Sequence, residues 1–194
     1  MNPKIIKAII DEAKTEIAAI AAEAAAKTTI AEWDKRWKAK QIELYNKRLW
    51  NTRILLKHYR SLKKYCENAI YDKETAKNVE NPIAILDAPT IREESMYIDS
   101  IKSSVARTCI IMEHVNKMLQ IYQIQCQISD KPEEHRRYRV LDSYHIADKK
   151  IKMEAICKHE NIDRSTFYRD INETSEALTA LIFGVDGLSM MRQT

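Results

Sequence analysis

The stretch KIKMEAICKHENIDRSTFYRDINETSEALTALIF, residues 150–183, decides the fold of this chain. Its apolar spacing predicts a short helix over residues 150–160 and a longer helix that begins with Asp163 as its N-cap. In the short helix the side chains expected to turn inward are Met153, Ile156 and Cys157. In the long helix the apolar positions are Phe167, Ile171, Leu178 and Leu181. Two helices joined so closely are expected to share an apolar core.

The turn between these two helices has the residue types that a helix-turn-helix requires. Asn161 tolerates the left-handed backbone of a sharp turn and stands where glycine is usual. Cys157 supplies a small side chain where the helices cross, and Ile162 supplies an apolar plug. Glu160 departs from the pattern, because leucine is common just before the turn. The spacing therefore predicts a helix-turn-helix whose second helix reads DNA.

Hydrogen-bond donors and an aromatic ring lie between the core positions of the second helix. Polar side chains at the N-terminal end of a recognition helix are the ones that reach base edges in the major groove. The predicted DNA-binding residues are Lys152, Arg164, Ser165, Thr166, Tyr168, Arg169 and Asn172. A helical hairpin with no role in DNA binding is the alternative.

Another helix is predicted just before this motif, over residues 132–145. Tyr138, Leu141 and Tyr144 lie on one of its sides. We therefore expect residues 129–194 to form one helix-turn-helix DNA-binding domain. The net charge of residues 131–170 is only +2, which is weak for a module that must hold a polyanion.

Residues 91–128 are predicted to form one long helix, because apolar side chains recur there in heptads. The two sets of heptad positions are Ile98, Val105, Met112, Leu119 and Cys126, and Ile101, Thr108, Val115 and Tyr122. This seam fits either a bundle within the chain or a coiled coil between protomers, and a homo-oligomer is expected. Residues 78–90, which contain two prolines, are predicted to be a linker.

Residues 1–77 are predicted to form an N-terminal helical region. Asn2 and Pro3 are typical of a helix start, and an alanine-rich seam of apolar residues follows as far as Ala24. The capping box Thr29-x-x-Glu32 predicts the start of a second helix, which continues to about residue 77. A break at Asn51-Thr52 is an alternative, since both residues can cap a helix.

The N-terminal region also contains the strongest concentration of charge. Residues 33–66 carry eleven Lys and Arg side chains against two acidic ones. Such a field attracts a phosphate backbone, and we expect the segment to lie beside the recognition helix. The predicted backbone contacts are Lys35, Arg36, Lys38, Lys40, Lys47 and Arg48. The expected apolar face comprises Trp33, Trp37, Leu44, Leu49, Leu56 and Tyr59. The alternative is that the charges serve solubility or pair with the acidic residues 67–130.

The composition as a whole favours an all-α protein, with long N-terminal and central helices in a bundle or coiled coil before the helix-turn-helix. Only two of 194 residues are glycine, which disfavours tight hairpins and phosphate-binding loops. There is neither an apolar run of about 20 residues nor a signal-peptide core, so a cytoplasmic protein without membrane contact is expected. The motifs of nucleotide-binding, zinc-protease and serine-hydrolase sites are missing, so neither an enzyme nor a cofactor is expected.

Four segments resemble the RinA/ArpU-type phage transcriptional regulators of Gram-positive hosts. They are NTRILLKHYRSLKKYCENAI at 51–70, SIKSSVARTCIIMEHVNKML at 100–119, RRYRVLDSYHI at 136–146 and STFYRDINETSEALTALIFGVDGL at 165–188. The resemblance implies a terminal helix-turn-helix similar to region 4 of sigma factors. It also implies activation of late, packaging or lysis genes in a phage or prophage, with double-stranded DNA as partner and host RNA polymerase as a candidate partner. The alternative is a small terminase subunit, which also combines a helix-turn-helix with helical oligomerisation segments.

Overall fold

The computed structural model describes residues 3–68, 81–87 and 93–184, with side chains from residue 14 onward. Every regular element in these ranges is helical, as predicted. The elements are α1 (Pro3–Glu67), α2 (Pro82–Asp87), α3 (Glu94–Lys102), α4 (Val105–Ile128), α5 (Pro132–Leu141), a π-helical turn (Asp142–Ile146), α6 (Met153–Glu160) and α7 (Arg164–Phe183). None of the helices in the described ranges has the length and hydrophobicity needed to cross a bilayer.

Helix α1 is continuous, so the predicted start of a second helix at Thr29 is wrong. The hydroxyls of Thr28 and Thr29 each donate a hydrogen bond of 2.8 Å to the backbone carbonyl of Ala25, one turn back. A capping threonine would instead accept a hydrogen bond from an amide ahead of it. The alanine-rich surroundings favour helix on both sides, and the threonines are accommodated within it. The predicted region reached residue 77, but α1 ends at Glu67, and residues 69–80 lie outside the described residues.

The alternative break at Asn51-Thr52 is wrong as well, because both side chains bond within the fold. The Nδ2 of Asn51 donates to the carbonyl of Leu86 at 2.8 Å. The hydroxyl of Thr52 donates to the carbonyl of Arg48 at 3.0 Å, and the two side chains are both buried. Their polar groups are satisfied without ending the helix.

The segment predicted as a linker contains helix α2. The side chain of Asn81 accepts a hydrogen bond of 3.0 Å from the amide of Ile83, and Pro82 occupies the first helical position. Ile85 and Leu86 are buried in the core. The linker prediction is therefore wrong for residues 81–87, and the remainder of 78–90 lies outside the described residues.

The helix predicted over residues 91–128 is divided into α3 and α4. Ser104 has extended backbone angles, φ −145° and ψ 136°, and it separates the two helices. The hydroxyl of Ser103 donates to the carbonyl of Ser100, and that of Thr108 donates to the carbonyl of Ile101, each at 2.8 Å. These hydroxyls satisfy carbonyls at the end of α3, so the break leaves few polar groups without partners.

The main hydrophobic core joins α1, α2, α3, α4, α5 and α7. Its most deeply buried side chains are Leu55, Leu56, Leu62, Leu86, Tyr97, Ile101, Ile111, Val115, Leu178 and Ile182. The heptad positions of α3 and α4 face this core, and Val105 is the one member of the seam that is only half-buried. Of the two predicted arrangements, the bundle within the chain is the observed one. The seam cannot also join two protomers, because its side chains are already covered.

The chain forms two compact units, Met1–Leu44 and Tyr45–Thr194. This division differs from the boundary predicted at residue 129. The reason is that α7 shares the main core with α1 and α4. The hydroxyls of Thr52 and Thr179 lie 2.9 Å apart, and those of Tyr122 and Thr174 lie 3.1 Å apart. The helix-turn-helix is therefore part of the second unit and not a separate domain.

Candidate nucleic-acid interface

The turn between α6 and α7 has the geometry that its sequence predicts. Asn161 adopts a left-handed backbone with φ 52° and ψ 49°, and no other non-glycine residue in the described ranges has positive φ. The amide of Ile162 donates to the carbonyl of Cys157 at 3.0 Å, which closes the end of α6. Asp163 then caps α7, since its carboxylate accepts hydrogen bonds from the amide of Thr166 at 2.6 Å and the hydroxyl of Ser165 at 2.8 Å. These bonds lower the pKa of Asp163 below its ordinary value.

A small second core holds the three helices of this region together. It is formed by Val140 of α5, Ile156 of α6 and Phe167 of α7, all of them buried. The rings of Phe167 and Tyr144 meet edge to face, with centroids 5.1 Å apart. The half-buried side chains packed around this core are Tyr144, Met153, Cys157, Ile162 and Ile171. Of the predicted apolar residues, Ile156 and Phe167 are buried in this core and the others named here lie at its margin, whereas Leu178 and Leu181 pack in or against the main core.

An ion pair that the sequence patterns did not reveal fixes α7 against α5. Asp170 is 0% exposed, and Arg136 binds its carboxylate through two hydrogen bonds, Nε to Oδ2 at 2.7 Å and Nη2 to Oδ1 at 3.1 Å. The pair raises the pKa of the Arg136 guanidinium. Arg137 also pairs with the carboxylate of Glu173 in α7. Asp170 lies three residues after Phe167 on the inward side, so its helical position was the available signal.

A second bidentate pair explains why Glu160 stands where leucine is common. Arg139 of α5 donates to both carboxylate oxygens of Glu160, at 3.0 and 2.7 Å, and thereby joins α5 to α6. The guanidinium is the main cause of a lowered pKa for Glu160. The side chain of Glu160 is only 8% exposed. The ion pair therefore joins α5 to α6 at a position where the usual pattern has an apolar contact.

The π-helical turn follows α5 directly, so the helix predicted over residues 132–145 changes its form after Leu141. His145 belongs to this turn. Burial of its imidazole lowers its pKa to about 4, and the nearby positive charge of Arg60 lowers the pKa further. Arg60 itself donates to the backbone carbonyls of Tyr144 and Ala147. Helix α1 thus holds the turn from the other side. The predicted helix over residues 150–160 begins later, at Met153.

The outward face of α7 presents the side chains predicted to contact DNA. Among the seven predicted residues, six are exposed and Thr166 is half-buried. The guanidinium of Arg164 lies over the ring of Tyr168, 5.9 Å from its centroid. The amide oxygen of Asn172 accepts a hydrogen bond of 3.3 Å from Arg53. Within the described ranges, no ion pair involves Arg169 or Lys152, so both cations are open to an external partner.

Further lysines lie close to this face in the sequence and are exposed. They are Lys149 and Lys150, in the loop before α6, and Lys158, in α6. The charge run at residues 149–152 was visible in the sequence, and only Lys152 was predicted from it. Lys149 and Lys150 add positive charge just before the N-terminus of α6, and Lys158 adds positive charge in its last turn.

The basic segment, residues 33–66, divides into two parts with different surroundings. Lys47 and Arg48, which were predicted to contact the DNA backbone, are both engaged by Asp87 within the fold. Arg48 donates to the carboxylate at 2.7 Å and also lies over the ring of Phe183, while Lys47 donates to the backbone carbonyl of Asp87. Lys57 forms an ion pair with Glu94, which belongs to the acidic residues 67–130. For Lys47, Arg48 and Lys57, the structure therefore shows the alternative arrangement, in which the charges pair with residues 67–130.

The remaining four predicted cations lie in the first unit and are exposed. They are Lys35, Arg36, Lys38 and Lys40. Arg36 is 3.7 Å from Glu32 one turn back, in an ion pair that stays in contact with solvent. Trp33 and Trp37 were expected to belong to an apolar contact face, but both are exposed and stack on each other with centroids 6.4 Å apart. Leu56 and Tyr59, by contrast, are buried as expected.

Comparisons with protein-family models, with curated proteins and with solved structures find no match for this sequence.

The two faces of α7 determine what this part of the molecule can do chemically. A helix is held on its inner side by an aromatic core and a buried ion pair, and its outer side offers guanidinium, hydroxyl, amide and phenol groups. These groups can donate to base edges or phosphates from fixed positions.

Proposed function

We propose that this protein is a sequence-specific DNA-binding regulator whose helix α7 reads the major groove. The observation that supports this most directly is the division of the first turns of α7 into two faces. Phe167 and Asp170 lock the inner face, while Arg164, Tyr168 and Arg169 are exposed on the outer face. Reading a sequence requires donors at fixed positions, and the locked inner face supplies that fixation.

Individual side chains suit different contacts. Arg169 can donate two hydrogen bonds to the O6 and N7 of guanine, and Asn172 can bind the N6 and N7 edge of adenine. Tyr168, which is 48% exposed, can place its ring against a thymine methyl group. Ser165 and Lys152 suit phosphate oxygens, as do the exposed lysines before and within α6.

The exposed cations of the first unit would add affinity without sequence preference. Lys35, Arg36, Lys38 and Lys40 carry four positive charges within six residues. Each phosphate contact releases condensed counterions, so such a cluster strengthens binding most at low salt. In this proposal α7 determines the sequence, and the cluster contributes electrostatic attraction.

The biological role that we propose follows the resemblance of four segments to RinA/ArpU-type regulators. In that role the protein activates late, packaging or lysis genes of a phage or prophage and works with host RNA polymerase. Mapping of bound DNA across the genome tests this role. A peak at a promoter upstream of such genes is expected, whereas a peak at a packaging start site would identify a small terminase subunit instead.

The test of the DNA-reading role uses the full chain and a site selected from a random-sequence DNA pool. Arg169→Ala should weaken binding to the selected site by about 1–3 kcal/mol and binding to random DNA much less. Lys158→Ala, on the exposed side of α6, is the matched control and should weaken binding to the selected site and to random DNA equally. Equal losses for Arg169→Ala would reduce Arg169 to a phosphate contact. If this variant lost affinity for neither DNA, α7 would not be the reading helix.

A further inference from the structure

The first unit exposes an unusual number of large apolar side chains. Every side chain from residue 14 to residue 40 is exposed. Half of the exposed large apolar side chains in the described ranges belong to the first unit. They are Ile17, Ile20, Ile30, Trp33, Trp37 and Ile42. A long helix in water gains most of its stability by packing an apolar face, so this exposed surface favours a partner.

One helical stripe within this unit has small residues at one end and large residues at the other. Spaced three or four residues apart, its members lie on one face of α1. The small end comprises Ala19, Ala22 and Ala26, and the large end comprises Ile30, Trp33 and Trp37. Trp33 is 63% exposed and Trp37 is 38% exposed. The side chains of the stripe are therefore small at one end and large at the other, and all of them are exposed.

We propose that this stripe binds the same stripe of a second copy of the chain, with the two helices antiparallel and crossing near residue 28. In that arrangement Ala19 lies opposite Trp37, Ala22 opposite Trp33, and Ala26 opposite Ile30. Each large side chain then fills the space that an alanine leaves. A parallel pair would instead set tryptophan against tryptophan and leave alanine against alanine, which packs poorly.

The charges of the first unit favour the same direction. Residues 14–23 contain two acidic side chains and one lysine, whereas residues 33–42, which lie opposite them in the antiparallel register, contain four basic side chains and one acidic one. Antiparallel helices place these stretches opposite each other, and parallel helices place like charges together. An anionic membrane or a nucleic acid would attract the basic stretch but repel the acidic one. A second copy therefore accounts for the apolar stripe and the acidic stretch, which contacts between the basic stretch and phosphates would leave without a partner.

The dimer does not depend on DNA binding, so it is tested without DNA. We expect the full chain to sediment as a dimer in analytical ultracentrifugation at micromolar concentration. The double substitution Trp33→Glu with Trp37→Glu should raise the dissociation constant at least about 100-fold, because two central aromatic contacts are lost. These residues are exposed in the single chain, so the second unit should keep its melting temperature.

A matched control comes from α4, where Ile124 is 55% exposed. Ile124→Glu should leave the dimer intact. If Ile124→Glu dissociates the dimer and the tryptophan substitutions do not, the interface lies on α4 and the proposal is wrong. A wild-type chain that sediments as a monomer at 100 micromolar would overturn it as well.

Crosslinking determines the direction of the helices. In the antiparallel dimer, Ala26→Cys lies close to its own copy near the crossing point. Ala19→Cys lies 18 residues along the helix from its copy, or about 27 Å at 1.5 Å per residue. A short bismaleimide should therefore join Ala26→Cys chains and not Ala19→Cys chains. Efficient crosslinking of both would show parallel helices, and the wild-type chain, whose cysteines are all partly or fully buried, gives the background.

Discussion

The helix-turn-helix region and the first unit each expose a cluster of positive side chains, but only one of them holds its side chains in place. In residues 132–183, two bidentate arginine–carboxylate pairs and an aromatic core fix α5, α6 and α7 to one another. In residues 14–40 every side chain is exposed, and the ion pairs link neighbours one turn apart in the same helix. In the proposed function the first region distinguishes positions on the DNA, while the second supplies attraction and an apolar stripe.

The difference bears on what a helix needs in order to read a sequence, as we propose for α7. Charge alone attracts any polyanion, and its effect does not depend on where each side chain lies within a few ångströms. Base recognition fails if the donors are displaced, so it requires an inner face that cannot shift. In this protein Phe167 and Asp170 hold the inner face of α7 in place.

The largest effect is expected from Phe167→Ala in the full chain. Phe167 is fully buried and its loss leaves a cavity, so the free energy of unfolding of the second unit should fall by about 3–5 kcal/mol. Ile17→Ala, at a position 66% exposed in the first unit, should change the stability by less than about 0.5 kcal/mol. Chemical denaturation of both variants measures this contrast. Similar losses for the two would contradict the assignment of Phe167 to a core.

The next largest effect is expected from Arg136→Ala, which leaves the buried carboxylate of Asp170 without its main partner. We expect a loss of about 3 kcal/mol, because an uncompensated buried charge is costly. Arg36→Ala, which breaks the exposed pair with Glu32, should cost at most about 0.5 kcal/mol. The double variant Arg136→Met with Asp170→Leu removes both charges and should recover most of the lost stability. If it is as unstable as Arg136→Ala, the pair is not the cause.

A pH dependence of similar or smaller size is expected from His145. Its folded-state pKa is lowered to about 4, below the ordinary 6.5, by burial and by the charges of Arg60 and Lys150. The unfolded chain therefore takes up the proton first as the pH falls. The stabilising contribution is complete above pH 6.5 and decreases by about 2–3 kcal/mol as the pH falls to about 4. His145→Gln should flatten the stability curve over this interval, and an unchanged curve would show that another group titrates there.

The smallest effect on the fold is expected from neutralising the exposed cations of the first unit. Replacing Lys35, Arg36, Lys38 and Lys40 by Gln should leave the melting temperature of the second unit unchanged. If these side chains contact phosphates, the slope of log affinity against log salt should become shallower by about two to four, with the same preferred sequence. Lys47→Gln, at a residue engaged by Asp87, is the control and should leave the slope unchanged. A slope that does not respond to the fourfold variant would remove the cluster from the DNA-binding surface.

Much of the helix-turn-helix region could be predicted from the sequence, because the sequence signals that set its structure are local. The left-handed turn at Asn161, the cap at Asp163 and the inward position of Phe167 each depend on residues within a few positions. Helix boundaries were harder. At Thr29 the helix preference of the neighbouring alanines outweighs the capping signal, whereas at 78–90 one of the prolines that suggested a linker, Pro82, begins helix α2. Within residues 164–172 the exposed side chains of α7 were predicted, except that Thr166 is half-buried, since they are the complement of the buried face.

The sequence by itself determined the helical class, the turn between α6 and α7, and the set of side chains that α7 exposes. These follow from backbone preferences and from a spacing of three or four residues, which neighbouring residues suffice to set. Only the tertiary structure decided that Arg48 pairs with Asp87, 39 residues away, and that Arg136 pairs with Asp170, 34 residues away. It also decided that the heptad seam of α3 and α4 is covered by the chain's own helices. Such contacts join residues that are distant in sequence, and a charge or an apolar stripe is the same in the sequence whether its partner is another helix, a second chain or water.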